Sequence, residues 1–149
     1  MQVLANHWDG GLPVQPQLIA RVMGVHVVVQ EFAPEISGRI ERRGGYTWIR
    51  LNKTDNDKRQ RFTVAHELGH FVDRKDEDFE YVEHRGPLAS QGSDAGEVFA
   101  NSFAAELLMP ETMIHKLLQS GMEAKQMARE LEVSVEAMVI RLESLGWHR

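Results

Sequence analysis

The chain has no cysteine. Disulfides and thiolate metal sites are thereby excluded, and any zinc must be held by histidine and carboxylate. The absence fits a reducing compartment. Long apolar runs are missing too. Nothing approaches the roughly 20 residues that cross a bilayer, and the opening MQVLANHWDGG lacks the basic and then apolar segments of a secretory signal. The expectation is a cytoplasmic protein, mature as written, with no membrane partner. Cations are in the minority, 17 Lys and Arg against 22 Asp and Glu, and the net charge of -5 argues against broad nucleic-acid binding. The sequence has no internal repeat and no low-complexity segment.

What remains is an ordinary soluble composition, 42% hydrophobic and 26% charged over 149 residues, enough to bury one core without staples. One domain over 1–149 is expected, with a helical subregion from about 111 onward. In LPVQPQLIARVMG, Pro13 and Pro16 precede Leu18, Ile19, Val22 and Met23, and Gly24 is placed to end a short amphipathic helix. VHVVVQEF turns to β-branched residues and reads as a strand. ISGRIERR, a Gly-Gly turn and YTWIRLN read as a hairpin in which Ile36, Ile40, Trp48 and Tyr46 alternate with polar positions. The expected fold class is α+β, a small three-stranded antiparallel sheet packed on a helical core, with short helices at the C-terminus.

NKTDNDKRQ is a polar turn in which Asp57 as N-cap and Gln60 three residues later fit a capping box, so a helix should begin near Lys58. Within it, Arg61 to His70 read RFTVAHELGH, and His66, Glu67 and His70 take the spacing His-Glu-x-x-His. On a helix the two histidines lie one turn apart on one face, with Cβ atoms about 6 Å apart. One zinc ion can then bond both rings. Zinc with one open position lowers the pKa of its water to about 7, and Glu67 is placed to take that water's proton. This is the apparatus of a metallopeptidase.

The flanks favour that reading. Phe62, Ala65, Leu68 and Val72 form one apolar stripe and Val64, Leu68 and Phe71 another, so the face of Thr63, His66 and His70 is bordered by apolar residues. Two ordinary histidines on so central a helix would need partners for their buried nitrogens. Gly69 costs about 1 kcal/mol against Ala in a helix interior, which suggests that another backbone or a substrate comes close there.

Beyond this helix, DRKDEDFEYVEHRGPLASQGSD is acidic, contains Gly86-Pro87 and shows no sustained period, so 75–92 is expected as a long surface loop. DAGEVFANSFAAELLMP follows as a second helix ended by Pro110. Its face of Glu97, Ala100, Asn101 and Ala104 is small except for the carboxylate, which would let two helices approach and bring Glu97 to a metal. Asp94 and Glu97 also fit a capping box. Spacing alone leaves Glu97 as either ligand or cap.

From Glu111, the segments ETMIHKLLQSG, MEAKQMARELE and SVEAMVIRLESLGW read as short helices, the last two resembling a helix-turn-helix through Ala128, Leu131, Val133, Ser134 and Met138. Glu132 stands where that turn often has Gly. The second helix offers Arg141 as its sole cation, beside Glu136 and Glu143, which is poor for phosphate contact. Packing is the expected role, and no direct nucleic-acid partner is expected.

Taken together, RFTVAHELGH and EVFANSFAAELLMP, roughly thirty residues apart, resemble the ImmA/IrrE family of bacterial metallopeptidases, and the tail VSVEAMVIRLESLGW is similar to family C-termini. The resemblance implies His66 and His70 as zinc ligands, Glu67 as general base, and Glu97, three residues before the Ala100-Asn101 pair, as third ligand. It implies a gluzincin-like α+β core whose hairpin strand nearest the metal helix can receive an extended peptide. It also implies a partner, since members are commonly linked to helix-turn-helix repressors or antitoxins and some cleave them.

The expected activity is that of a zinc-dependent endopeptidase with about one zinc per chain, acting on such a repressor or antitoxin in a segment that can become extended. Tyr81, His84 and His115 are the candidates for stabilising the oxyanion. Asp76, Glu77, Asp78, Glu80 and Glu83 suit a basic partner. Two rivals stand beside this reading: a protein-binding regulator that keeps the metal for structure, and a DNA-binding regulator built on the C-terminal helices. An intact Glu67 favours hydrolysis over the first, and the charge balance disfavours the second. His and carboxylate ligands also accept manganese, cobalt and nickel.

Overall fold

The β-branched run after Gly24 forms β1 (Val25–Gln30), followed by β2 (Ile36–Arg43) and β3 (Tyr46–Asn52). The computed structural model describes residue 3 and residues 13–74, 77–84 and 95–147. These fall in two compact units, residues 15–104, and residues 1–14 together with 105–149.

In the first unit, Pro16 opens α1 (Pro16–Val22), which ends before Gly24 at φ +84. Glycine takes that left-handed conformation without a Cβ penalty. The helix buries Ile19 and Ala20 and leaves Leu18 and Val22 exposed. β2 and β3 are the expected hairpin, turned by Gly44 and Gly45, with Ile40 opposite Ile49.

The α+β class holds, but three antiparallel strands do not. The sheet has four strands in the order β1-β3-β2-β4. β1 lies parallel to β3, with Val27 beside Ile49. The buried amide of Asn52 donates to Ala33 O and Ile36 O at 3.3 and 2.8 Å, tying the 31–35 connection across the end of β3, so β1 lands beside β3 and not beside β2. The fourth strand, β4 (Phe79–His84), pairs antiparallel with β2, Ile40 beside Tyr81. It lies inside the 75–92 segment expected as loop. Its acids hid it: they read as solvated surface, yet Glu80 pairs with Arg39 across the strands. Residues 75–76 and 85–94, including Asp94, lie outside the described residues.

The pleat of β3 also differs from expectation. Thr47, Ile49 and Leu51 are buried, whereas Tyr46 is exposed and Trp48 belongs to the opposite face, its ring 4.4 Å from that of His26 with the Arg50 guanidinium 5.6 Å away. Alternation has a period of two, so placing Trp48 inward would turn Ile49 and Leu51 out.

α2 (Asp57–Asp73) packs on β2, β3 and β4. Its N-cap is Asn56, whose side chain accepts from Arg59 N at 2.9 Å, and Asp57 is the first helical residue instead of the cap. Gln60 does not complete a capping box, because its amide donates to Asn52 O at 3.0 Å. Opposite α2 runs α3 (Ala95–Leu108). The core of this unit is drawn from Ile40, Ile49 and Leu51, from Val64, Ala65 and Leu68, and from Ala100, Phe103 and Ala104.

The other unit holds α4 (Glu111–Gln119), α5 (Ala124–Leu131) and α6 (Val135–Ser144). Glu123 and Gln126 form a capping box at the start of α5, and Ser134 caps α6 by accepting from Ala137 N at 3.0 Å. Glu132 takes the left-handed turn between them at φ +53. Met127, Leu131 and Met138 are buried. Arg141 is buried as well, its Nε donating to Met109 O at 3.0 Å. Among the described residues no helix is long and apolar enough to cross a membrane.

Candidate metal centre

His66, Glu67 and His70 sit in the interior of α2, each at most 1% exposed. One helical turn sets the two imidazoles edge to face, with ring centroids 4.9 Å apart and planes at 78°. α3 contributes Glu97 from its first turn. Its carboxylate meets both rings, Oε1 at 2.9 Å from His70 Nε2 and Oε2 at 3.2 Å from His66 Nε2.

That reach depends on how closely α2 and α3 approach. A Cβ on Gly69 would lie 2.7 Å from Ala100 Cα, so the backbones touch where any other residue would hold them apart. The close approach expected at Gly69 is therefore made by another helix. β4 supplies the third side. Tyr81 stacks on His70 with centroids 4.0 Å apart and planes at 11°, and Glu83 Oε2 lies 2.7 Å from His66 Nε2.

The cluster gathers three carboxylates, Glu67, Glu83 and Glu97, around two imidazoles, and its electrostatics reflect that excess. Burial pushes His66 down, but the Glu83 and Glu97 carboxylates outweigh it and lift its pKa to about 10. His70 is lowered by burial and by its neighbour His66, against the pull of Glu97. Glu67 is raised well above the usual carboxylate range by burial, with Glu83 and Glu97 adding and His66 opposing. Glu97 is lowered by His66 first, with burial opposing and His70 helping.

A cation suits this arrangement. Both ring nitrogens of His66 and His70 and both carboxylate oxygens of Glu67 are buried without a hydrogen-bond partner among the described residues. The short approaches to Glu83 and Glu97 lack the alignment of hydrogen bonds. Unpaired buried polar atoms cost kcal/mol each, and a shared metal would remove that cost for the two Nε2 atoms that face Glu97. The donor atoms of His66, His70 and Glu97 lie within 4.8 Å of one another, as do those of His66, Glu67 and Glu83. Nitrogen and carboxylate donors without thiolate suit zinc.

Residues 20–143 match the Peptidase M78 family, described as the IrrE N-terminal-like domain. The chain belongs to this family. Among its relatives is the radiation response metalloprotease IrrE of Deinococcus radiodurans, 32% identical over 98 residues that cover 63% of this chain and 30% of the relative. The protein of the same name from Deinococcus deserti is 29% identical over 150 residues, covering 95% of this chain and 52% of the relative. The chain thus spans about half or less of the length of these relatives.

Of the three oxyanion candidates in this M78 chain, the fold brings Tyr81 to the cluster. His84 ends β4, and its side chain lies outside what is described. His115 is on α4 in the other unit, half-exposed, 3.9 Å from Glu111 and edge-on to Trp147. Glu83 is the residue that sequence reasoning missed by counting it among loop acids. A signal was available: Phe79, Tyr81 and Glu83 alternate with Glu80 and Val82 at the period of a strand.

Proposed function

We propose that this chain is a zinc-dependent endopeptidase in which His66, His70 and Glu97 hold the metal and Glu67 is the general base. One observation carries the reading: both imidazole Nε2 atoms meet a single Glu97 carboxylate at 2.9 and 3.2 Å, beside a fully buried Glu67. When bound, zinc polarises a peptide carbonyl and acidifies water. Glu67 takes a proton from the attacking water and returns it to the leaving amine. Its burial, which raises its pKa, makes it a stronger base than a solvated carboxylate. Tyr81, stacked on His70, is the oxyanion stabiliser we favour.

The substrate is a protein, and we take it to be a helix-turn-helix repressor or antitoxin in the same cytoplasm, cut by residues 1–149 acting as one metallopeptidase domain. A helical segment hides its carbonyls in i to i+4 bonds, whereas an extended one can add to a sheet edge. The hairpin cannot provide that edge, because β2 lies between β3 and β4, and β3 between β1 and β2. β4 can, since among the described residues it has β2 on one side and no strand on the other. The acids near it among the described residues are already partnered. Glu77 pairs with Arg74, Asp78 accepts from Gly44 N, Glu80 pairs with Arg39, and Glu83 meets His66. A basic partner is therefore not part of the proposal.

Two further observations weigh on the rivals. Both Deinococcus relatives are named metalloproteases, which supports hydrolysis over binding alone. Arg141 is buried and bonded to Met109, which removes the one cation that α6 offered to DNA. The test is incubation of the purified chain with the helix-turn-helix protein encoded beside it, followed by mass spectrometry. Fragments from wild type and none from Glu67→Gln are expected; an intact regulator in both overturns the substrate assignment.

A further inference from the structure

β4 is one edge of the sheet and β1 is the other. The two are built differently. β4 carries Glu80 and Glu83, so a second copy of the chain paired there would bring like charges together. β1 reads VHVVVQ, with no Lys, Arg, Asp, Glu or Pro, and it follows β3 in unbroken register from Val25 to Gln30. The charges, prolines and bulges that usually keep an edge from pairing are all missing from it.

The backbone shows which groups of β1 are open. Gln30 O accepts from Lys53 N at 2.9 Å, and residues of a strand turn alternately toward and away from a parallel neighbour. His26, Val28 and Gln30 therefore bond β3, and Val25, Val27 and Val29 turn their N–H and C=O outward. Val25 is covered at 1% exposure, but Val29 is 55% exposed. Among the described residues no hydrogen bond reaches the outward groups of Val27 or Val29. α1 packs on β1 and leaves Leu18 and Val22, one turn apart, 56% and 65% exposed. Opposite charges flank this apolar stretch. Arg21 is exposed in the last turn of α1, before the strand, and Glu31, paired with Lys53 at 3.5 Å, is exposed just after it.

We propose that β1 is a homodimer interface, pairing antiparallel with β1 of a second copy of this chain about a two-fold axis at Val28. Val27 then faces Val29 of the second copy, and each such pair exchanges both of its N–H···O bonds. The two sheets become one. The occupant is a second copy because the edge is complementary to itself: antiparallel pairing sets the end of one strand beside the start of the other, so Glu31 of each copy approaches Arg21 of its mate. Parallel pairing would set like charge beside like. Leu18 and Val22 of both copies add the side-chain burial that backbone pairing alone lacks. β4 and the metal centre beside it stand at the opposite end of the strand order, and the interface leaves them open.

The experiment is analytical ultracentrifugation of the full chain over about 1–100 µM, where an interface of ordinary affinity declares itself. Wild type should be dimeric at the upper end. Val29→Lys should raise the dimer dissociation constant at least about a hundredfold by placing a charge on the paired edge. Val27→Pro should do the same, because it deletes an outward N–H and no bond to β3. Val82→Lys, on the other edge, should leave the dimer intact. Arg21→Glu should weaken the dimer about tenfold, and adding Glu31→Arg should restore it. Thermal melting establishes that each variant is folded; if Val29→Lys fails to fold, Val22→Lys on the exposed side of α1 takes its place. A wild type that stays monomeric overturns the proposal, and so does a dimer that survives both β1 variants or parts with Val82→Lys. Failure of the charge exchange to restore association overturns the antiparallel arrangement.

Discussion

Gly69 and Ala100 stand so close that a Cβ on Gly69 would lie 2.7 Å from Ala100 Cα and 3.1 Å from Phe103 Cβ. This contact sets the distance between α2 and α3 and so lets Glu97 reach both histidines. Gly69→Ala should therefore destabilise the protein by about 1–3 kcal/mol through overpacking, although helix propensity alone would favour Ala by about 1 kcal/mol. Metal retention should weaken with it as the helices part. Thermal unfolding of the metal-free protein and a metal titration check both, and a variant more stable than wild type with unchanged affinity would refute the role given to this contact.

Glu67→Gln should keep the fold and the metal while losing several orders of magnitude of proteolysis, because Gln preserves the shape and removes the base. The readouts are metal content beside cleavage of the regulator. Undiminished cleavage by a metal-loaded Glu67→Gln would remove Glu67 from the chemistry.

Glu97→Ala separates ligand from cap. As a ligand its loss weakens metal binding strongly, whereas loss of a cap costs about 1 kcal/mol of stability and leaves metal binding intact. Metal held as tightly as in wild type would place the third ligand elsewhere, with Glu83 the first residue to examine.

How far the sequence carried these conclusions differs from part to part. The grouping of His66, Glu67 and His70 was legible because all three lie on one helix at a spacing that brings them together, and Gly69 was legible because a helix rarely keeps a glycine without a close neighbour. Glu97 was half legible: its spacing fits a cap as well as a ligand, the family resemblance pointed to a ligand, and the crossing of α2 and α3 brings its carboxylate to both rings. The position of β1 was hidden because it depends on a long-range tie, the Asn52 amide across the 31–35 connection. β4 was hidden because its acids look solvated until Arg39 and His66 are seen opposite them. Trp48 misled the reading of β3: with Tyr46 it alternates with polar positions, but Ile49 and Leu51 occupy the core.

The C-terminal helices should not bind DNA at physiological salt. Arg141 is turned inward onto Met109 O and lies near Glu106 and Glu111, and burial lowers its pKa while those two acids oppose the shift. Arg141→Met should accordingly cost about 1.5–3 kcal/mol of stability through the lost charged hydrogen bond, without changing any interaction with nucleic acid. An anisotropy titration of wild type that gives sub-micromolar affinity with a steep salt slope would contradict this, because phosphate contacts produce that slope.

The claim on which the account turns is that His66 and His70 hold a metal together with Glu97. Elemental analysis of the purified chain tests it most directly. About one zinc per chain is predicted for wild type, with little or none in His66→Ala and His70→Ala. A folded wild type without stoichiometric metal, or histidine variants that retain it undiminished, would contradict the assignment.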